Sequence, residues 1–324
     1  MNILFSHNDL DGIACNIVAK YFFDDIKIFN CNYGDIDDRI YTELRNSENN
    51  NIIISDICYS KNRKDITKLL KRQKSVIIAD HHPGSLWVKN IFKTTNVRAS
   101  GDKCGAILLY EILKYIYEND SAADVNSYKI KLDYYFDKLK IDNNRLYNFL
   151  NYVNDWDIWT WIKKNKEYPF SSKSLLLNNA IYLFGADRFS ECVFNYIVSK
   201  TDNIFSTEEM NKLIDFNSNQ EKEIHEYLDN KILAKYHSNE YGDLTCYIIP
   251  MNNQYQSLTS YLLNESLKDN NTDFSVLYFL ENGSLRNPKS GIDLNIIAKE
   301  LGGGGHAYAA GFNWNDNKYK FKLI

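Results

Sequence analysis

Four groups of aspartate and histidine residues stand in the first half of the chain, and these residue types bind hard divalent cations. The groups are Ser6-His7-Asn8-Asp9-Leu10-Asp11-Gly12, Asp56, Asp80-His81-His82 and Asn154-Asp155-Trp156-Asp157. Carboxylates about 4 Å apart repel by roughly 4 kcal/mol at an effective dielectric constant of about 20, so clustered carboxylates must take up protons or cations. Oxygen and imidazole ligands without thiolates suit Mn²⁺ or Mg²⁺, with Zn²⁺ and Fe²⁺ as alternatives.

A cluster with more than four protein ligands indicates two ions, about 3.5–4 Å apart and bridged by a carboxylate and a water. Such a water loses a proton near neutral pH and becomes a nucleophile. The ions also neutralise charge on phosphate oxygens in the transition state. The pattern therefore favours metal-assisted hydrolysis of a phosphate ester.

Each group also has a simpler interpretation when it is taken alone. An Asp at a strand end is often a turn or N-cap residue, Gly12 can be a turn residue, and Asp-His-His can be a metal-free polar turn. These interpretations are weaker for the groups together, because the first three each follow a predicted strand. In the fourth group either acid can be a solvated helix position, and we favour Asp157 over Asp155 as the ligand.

The elements that must position these groups alternate between strands and helices. Strands are predicted at residues 3–5, 27–31, 51–55 and 76–79, and helices at 12–23, 36–46, 61–71 and 104–117. This alternation implies βαβ units and a parallel sheet covered on both faces. Ligands of such sheets bind outside the carboxyl ends of the strands, which is where the first three groups are expected to meet.

The remaining chain predicts a second, smaller α/β region. Residues 130–235 are mostly helical in pattern, including a long polar helix over 208–235, whereas 244–249 and 274–279 are strand-like with a helix near 257–267 between them. A length of 324 residues suits two domains. We expect an α/β protein with a metal-binding domain at 1–200, a helical connector at 201–240 and a smaller domain at 241–324.

Composition and net charge limit the kinds of ligand that the protein is expected to bind. The net charge is −4 and the pI is near 5.9, whereas proteins that hold long duplexes by counterion release are usually strongly basic. A short or small anionic ligand is therefore expected. The six cysteines form no CxxC pair, and no apolar run of about 18 residues or signal peptide is present, which predicts a cytoplasmic protein without membrane partners. The sequence does not reveal the oligomeric state, and a homodimer is compatible with it.

The groups of aspartate and histidine residues, together with a glycine-rich run near the other end of the chain, resemble the motifs of the DHH/DHHA1 phosphoesterase superfamily. His7 to Gly12, Asp56, Asp80-His81-His82 and Asp157 are similar to its four metal-binding motifs. Near the other end, the glycine-rich run from Gly302 to Gly311 resembles the motif of the DHHA1 domain, and the segments 283–286 and 292–298 fit that domain as well. Within the superfamily the chain looks most like NrnB-type oligoribonucleases, which degrade very short RNA.

The resemblance implies a role for each site residue. One ion would be held by His7, Asp9 and Asp56, and the other by Asp11, Asp56, His81 and Asp157, with Asp56 bridging. Asp80 would orient the site, and His82 would lie near the scissile phosphate. Two divalent cations are implied, with Mn²⁺ preferred over Mg²⁺, in an active-site cleft between the two domains.

The glycine-rich segment is also a candidate for binding the substrate. Four consecutive glycines are not expected to stabilise a helix or a strand, but they let the backbone approach a ligand and direct N–H groups at an anion. Arg286 is a forked donor suited to phosphate. We predict that Arg286, Gly303, Gly304, Gly305 and His306 clamp a terminal phosphate or sugar; a flexible loop is the alternative.

Two lobes, one with metals and one with a clamp, predict exonucleolytic release of nucleoside monophosphates from short single-stranded RNA. A phosphodiesterase of cyclic or linear dinucleotides such as c-di-AMP and pApA is the first alternative, and a RecJ-type exonuclease of single-stranded DNA is another. A binding module that has lost catalysis is the least favoured, because all the expected ligand positions are filled.

Overall fold

The computed structural model describes residues 1–92, 95–97, 101–118, 143–158, 160–164, 171–251, 272–286, 291–305, 307 and 309–324. The chain divides into two compact units, Met1–Phe216 and Asn217–Ile324. The boundaries predicted from the sequence, with a separate connector at 201–240, stay a prediction.

The first unit is built on a parallel five-stranded sheet in the order β2-β1-β3-β4-β5. The strands are β1 (Asn2–His7), β2 (Ile26–Cys31), β3 (Asn51–Ser55), β4 (Ser75–Asp80) and β5 (Thr95–Val97). Uninterrupted apolar runs such as Ile52-Ile53-Ile54 are fully buried, as expected for parallel strands covered on both faces. The predicted parallel α/β sheet is confirmed, and β5 is an additional strand.

Helices cover both faces of this sheet. They are α1 (Leu10–Phe22), α2 (Ile36–Leu44), α3 (Lys64–Lys71) and α4 (Gly105–Glu118), with a 3₁₀ helix at Pro83–Asn90. Successive strand residues point to opposite faces, so Ile53 packs in the core formed by α1 and α4, whereas Ile52 and Ile54 pack in the core formed by α2 and α3. This alternation fixes the register of each strand relative to its neighbours, and with it the level at which each strand ends.

A helical region completes the first unit. It comprises α5 (Asn143–Asp157), α6 (Thr160–Lys164), α7 (Lys173–Phe184), α8 (Ala186–Ile197) and the start of α9 (Thr207–Asp229). Phe149 and Val153 of α5 are buried in the same core as α1 and α4. This packing fixes the C-terminal turn of α5, which carries Asp157. Within the described ranges, no helix combines the length and apolar character needed to cross a bilayer.

The long helix predicted over 208–235 is too long by six residues, because α9 ends at Asp229 and β6 (Ile232–Ser238) follows. Buried Ala234, Tyr236 and Ser238 alternate with more exposed residues in β6. That two-residue period belongs to a strand, and the polar residues between the buried ones made it look like a helix extension.

The second unit contains a seven-stranded sheet in the order β10-β11-β9-β8-β7-β6-β12. The further elements are β7 (Gly242–Pro250), β8 (Phe274–Phe279), β9 (Asn282–Arg286), α10 (Leu294–Glu300), β10 (Gly304–Gly305), β11 (Ala309–Asn313), α11 (Trp314–Asn317) and β12 (Phe321–Leu323). The predicted strands at 244–249 and 274–279 are confirmed. The helix predicted near 257–267 lies outside the described residues.

Candidate metal centre at the carboxyl edge of the parallel sheet

The register of the parallel sheet brings three strand ends together. Ser6 of β1 pairs with Ser55 of β3, and Ser55 pairs with Ala79 of β4. The next residue of each strand is therefore at one level on one edge, and these residues are His7, Asp56 and Asp80.

The first group of candidate ligands consists of His7, Asp9 and Asp56, whose ligand atoms lie within 4.8 Å of one another. His7 Nδ1 is 2.7 Å from Asp9 Oδ2 and 3.8 Å from Asp56 Oδ2. The Asp9 side chain is 47% exposed; its partial desolvation raises the pKa, but the hydrogen bond and charge of His7 outweigh this effect, so that the pKa of Asp9 falls below its ordinary value.

The second group consists of Asp11, His81 and Asp157, also within 4.8 Å. His81 Nε2 lies 3.3 Å from Asp157 Oδ2 and 3.3 Å from Asp56 Oδ1. Asp56 therefore approaches both groups with different oxygens. Asp56 could therefore provide a ligand to a cation held by either group.

Backbone geometry holds Asp9 and Asp11 in place. Asp9 is the N-cap of α1 and accepts the Gly12 N–H at 3.0 Å, so its cap role and its place in the cluster coexist. Asp11 accepts the N–H groups of Gly105 and Ala106 at 2.6 and 2.8 Å, at the start of α4. A Cβ on Gly12 would fall 1.9 Å from the His7 carbonyl oxygen, so this glycine is required by close packing.

Asp56 has a left-handed backbone with φ of 59°. Non-glycine residues rarely adopt this conformation, which costs energy and persists only where the surroundings impose it. The Asp56 N–H is bonded to the Ala79 carbonyl at 2.9 Å, which anchors the residue to β4. The carboxylate is 1% exposed, so it faces the cluster and not solvent.

Three buried polar atoms of the cluster have no hydrogen-bond partner within the described structure: Asp56 Oδ2, His81 Nε2 and Asp157 Oδ2. Burial, followed by the charges of Asp11 and Asp9, raises the pKa of both Asp56 and Asp157 well above the ordinary range. Burial also lowers the pKa of His81 despite the nearby carboxylates. Such groups fit divalent cations, which supply the partner that these atoms lack.

Asp80 is fully buried and binds His82. His82 Nδ1 lies 2.7 Å from Asp80 Oδ1, and the Ser85 hydroxyl donates to the other carboxylate oxygen. Burial raises the pKa of Asp80, but His82 and Ser85 outweigh it and the pKa is lowered. Burial lowers the pKa of His82, but Asp80 outweighs it and the pKa is raised. This pairing fixes the His82 ring and leaves Nε2 to act elsewhere.

The two acids of the fourth group have different partners. Asp155 accepts the Thr160 hydroxyl and the Lys164 ammonium, both at 2.6 Å. Asp157 lies in the cluster beside His81. Asp155 thus joins α5 to α6, whereas Asp157 faces the strand ends, and the choice of Asp157 as the ligand stays a prediction.

Three supporting residues were not identified from the sequence. Ser85 holds Asp80, Gly105 lies against Asp56 and Asp11, and Asn154 accepts the Cys104 N–H at 2.7 Å just before α4. Only Gly105 had a usable signal, a glycine in the first turn of an apolar helix. The other two depend on contacts that no local pattern encodes.

Arg286 and the glycine-rich segment lie in the second unit. Arg286 ends β9, its Nη1 donates to the Leu285 carbonyl at 2.8 Å, and its buried Nε has no partner among the described residues. Burial lowers the pKa of Arg286 to about 10. An anion would stabilise this guanidinium.

The expectation that the glycines form no strand is wrong for Gly304 and Gly305, which form β10 and pair with β11. A Cβ on Gly303 would lie 2.0 Å from the Gly311 carbonyl oxygen, and Gly305 has a φ of 152°. Close pairing therefore accounts for part of the glycine requirement. His306 lies outside the described residues.

Comparison with known proteins finds a family model and two relatives that are similar to the chain. Residues 2–135 match the family model described as "DHH family, N-terminal domain". Over 98% of its length the chain is 25% identical to oligoribonuclease NrnB of Bacillus subtilis (strain 168), of which it covers 74%. A second relative, a 3',5'-cyclic-nucleotide phosphodiesterase of Helicobacter pylori, is 30% identical over 125 residues, 35% of each chain.

Two solved structures share the fold. Exonuclease RecJ bound to manganese has a TM-score of 0.56 at 13% identity, covering 98% of this chain and 88% of RecJ. The pGpG-specific phosphodiesterase PggH of Vibrio cholerae has a TM-score of 0.51 at 12% identity, covering 99% and 97%. At these identities the likeness concerns the fold alone.

Proposed function

We propose that this phosphodiester-hydrolysing enzyme, whose residues 2–135 match the DHH family model, degrades short single-stranded oligoribonucleotides from one end, releasing nucleoside monophosphates. The observation that carries the proposal is the buried cluster around Asp56, with three polar atoms lacking a partner within the described residues. The likeness to NrnB over 98% of the chain supports this substrate class.

We propose that His7, Asp9 and Asp56 hold one divalent cation and that Asp11, Asp56, His81 and Asp157 hold the second. The donor set of carboxylates and imidazoles suits Mn²⁺, with Mg²⁺ as the alternative, and a RecJ structure of the same fold is bound to manganese. Bound cations of this kind supply an activated water and neutralise charge on the phosphate.

The residues of the chain itself then orient and protonate the substrate. Asp80 holds Nδ1 of His82, so that Nε2 is free to donate to the leaving oxygen or to a phosphate oxygen. Ser85 keeps the Asp80 carboxylate in one orientation, as supporting hydrogen bonds generally do around catalytic imidazoles.

The second unit is proposed to bind the far end of the substrate. Arg286, whose buried Nε has no partner among the described residues, and the backbone of Gly303, Gly304 and Gly305 would donate to a terminal phosphate or sugar, and His306, which lies outside the described residues, is a further candidate. Long duplexes are not expected as substrates because the net charge is −4. The cleft between the domains, the homodimer and the cytoplasmic location stay predictions.

A second candidate function is hydrolysis of cyclic or linear dinucleotides. It is favoured by the likeness to the 3',5'-cyclic-nucleotide phosphodiesterase of Helicobacter pylori, which is 30% identical over 125 residues. The pocket for either substrate would use the same metal centre. RecJ-type exonuclease activity on single-stranded DNA is a third candidate, supported by the shared fold.

Product analysis with Mn²⁺ tests these proposals. Five-nucleotide RNA labelled at the 5′ or 3′ end, the matching DNA, linear diadenylate and cyclic di-AMP would be compared. We expect fastest turnover of the RNA, with labelled mononucleotide appearing first from only one labelled end. Exclusive cleavage of cyclic di-AMP would instead support the second candidate, and preference for DNA the third.

A matched pair of substitutions tests the assignment of Asp157. Asp157→Asn is expected to lower Mn²⁺-dependent hydrolysis of bis-p-nitrophenyl phosphate by about a hundredfold or more, because a cation loses a charged ligand. Asp155→Asn should change it less than threefold, since Asp155 binds Thr160 and Lys164 on the helix surface. A larger loss of activity for Asp155→Asn than for Asp157→Asn would show that Asp155, and not Asp157, is the metal ligand.

The clamp is tested by comparing substrates. Arg286→Ala should reduce kcat/KM on five-nucleotide RNA by about ten- to a hundredfold, the usual size of a charge-assisted hydrogen bond. It should leave hydrolysis of bis-p-nitrophenyl phosphate nearly unchanged, because that ester is too small to reach a second binding site. The exposed Arg72, which pairs with Glu48, provides the control as Arg72→Ala. Equal losses on both substrates would refute a separate clamp.

A further inference from the structure

Tyr33 is a large exposed aromatic residue beside the metal centre. It lies in the turn after β2, and 59% of its surface is exposed. Its ring centroid is 5.3 Å from that of His7, tilted by 54°, and 6.0 Å from that of His82, at 90°. Tyr33 therefore stands next to both histidines that border the cluster.

The turn that carries Tyr33 is held by hydrogen bonds. The Asn32 N–H donates to Asp35 Oδ1 at 2.7 Å, and the N–H groups of Asp35 and Ile36 donate to the Asn32 carbonyl at 3.1 and 3.0 Å. The ring is thus presented on a fixed backbone. A fixed, exposed aromatic face loses little conformational entropy when a flat ligand group stacks on it.

The charges of nearby acids act on the Tyr33 hydroxyl. Partial desolvation of the hydroxyl, followed by the charges of Asp80 and Asp56, raises its pKa above the ordinary value. Within the described parts of the chain, Tyr33 has no hydrogen bond that would assign the residue to holding the fold. Its ring is the larger feature available to a ligand.

We propose that the ring of Tyr33 is the stacking surface for the base of a nucleotide that adjoins the scissile phosphate. This inference rests on the proposed function, which puts that phosphate near His82. A base attached to the nucleotide at His82 is within reach of a ring 6.0 Å away. Stacking uses the π face that every base has, so this contact accepts any base and requires one that is unpaired.

The test compares substrates that differ by one base. Linear diadenylate and its two counterparts with a single abasic nucleotide would be assayed with Mn²⁺ for wild type, Tyr33→Ala and Tyr33→Phe. Tyr33→Ala should lower kcat/KM on diadenylate by about ten- to a hundredfold, the usual effect of one base–aromatic stack. It should have no effect on the counterpart that lacks the stacked base, and Tyr33→Phe should behave as wild type.

Tyr147→Ala is the matched control. Tyr147 is 56% exposed but lies ten residues before Asp157 on α5, about 15 Å along the helix axis. The Tyr147→Ala variant should have the same kcat/KM as wild type on all three substrates. Equal losses for Tyr33→Ala with and without bases, or an equal loss for Tyr33→Phe, would overturn stacking.

Equilibrium binding separates this inference from the proposed function. The affinity of metal-free protein for diadenylate would be measured by calorimetry. A weaker affinity for Tyr33→Ala supports stacking even if wild type fails to hydrolyse diadenylate, a result that would count against the proposed function alone. Unchanged affinity would overturn the stacking role.

Discussion

Asp56→Asn should abolish metal-dependent hydrolysis and yet stabilise the metal-free protein. Asp56 is 1% exposed, its Oδ2 has no partner among the described residues, and its neighbours include Asp9 and Asp11. We expect a loss of roughly a thousandfold or more, because a shared ligand of both proposed cations is removed, and each cation is worth several kcal/mol in the transition state.

The expected gain in stability arises in the metal-free protein, where Asp56 has no cation to bind. Without cations, the Asp56 carboxyl must either stay charged among like charges or take up a proton on folding, and either costs about 1–3 kcal/mol relative to a neutral side chain of the same shape. Asn keeps the shape and removes the charge, so the Tm of metal-free protein should rise by about 2–10 °C. Mn²⁺ should raise the Tm of wild type, because it binds the folded site and not the unfolded chain. It should have little effect on the Tm of Asp56→Asn, because this variant lacks the shared ligand.

Thermal unfolding with EDTA and with Mn²⁺, together with hydrolysis of bis-p-nitrophenyl phosphate, measures both effects. Asp65→Asn is the control, since Asp65 is an exposed acid that pairs with Arg63. Should Asp56→Asn remain active, or should Mn²⁺ stabilise it as much as wild type, the two-cation site would lose its basis.

Gly105→Ala should damage the metal centre without touching any proposed ligand. A Cβ at this position would meet Asp56 Cβ at 2.6 Å, Asp56 Cα at 2.9 Å and Asp11 Oδ2 at 3.0 Å. Gly105 also donates its N–H to Asp11 at 2.6 Å, so α4 cannot move away without loss of that bond. Asp56 is anchored to Ala79, so neither side of the contact can yield easily.

We expect Gly105→Ala to cost about 1–3 kcal/mol in stability, the usual effect of overpacking. Activity should fall by about a hundredfold, because displacements near 1 Å have effects of that size in catalysis. A titration of activity with Mn²⁺ should show weaker affinity for the metal.

Gly84→Ala provides the matched control. Gly84 follows His82 by two residues, but a Cβ there would meet no atom within 4 Å. It should retain wild-type stability and activity. If Gly105→Ala also retained both, the close contact with Asp56 would have no functional importance.

The amino-acid sequence determined the elements of the first unit and the acids and histidines that meet at one edge of its sheet. Uninterrupted apolar runs located the strands of the first unit and apolar residues at helical spacing located its helices, and acids or histidines stand at or just after the ends of β1, β3 and β4. The edge on which they meet follows from the parallel direction of the strands, which the alternation with helices implies. These predictions depend on local patterns, which is why they could be made from one sequence.

The tertiary structure decided what depends on contacts between distant segments. Asp155 and Asp157 are two positions apart on a helix and point in different directions, so only the packing of α5 selects the one that faces the cluster. The contact between Asp11 and Gly105 joins residues 94 positions apart. The left-handed backbone of Asp56 is likewise imposed by its surroundings. Local periodicity carries no information on such pairings, since they arise only when the whole sheet and its helices pack together.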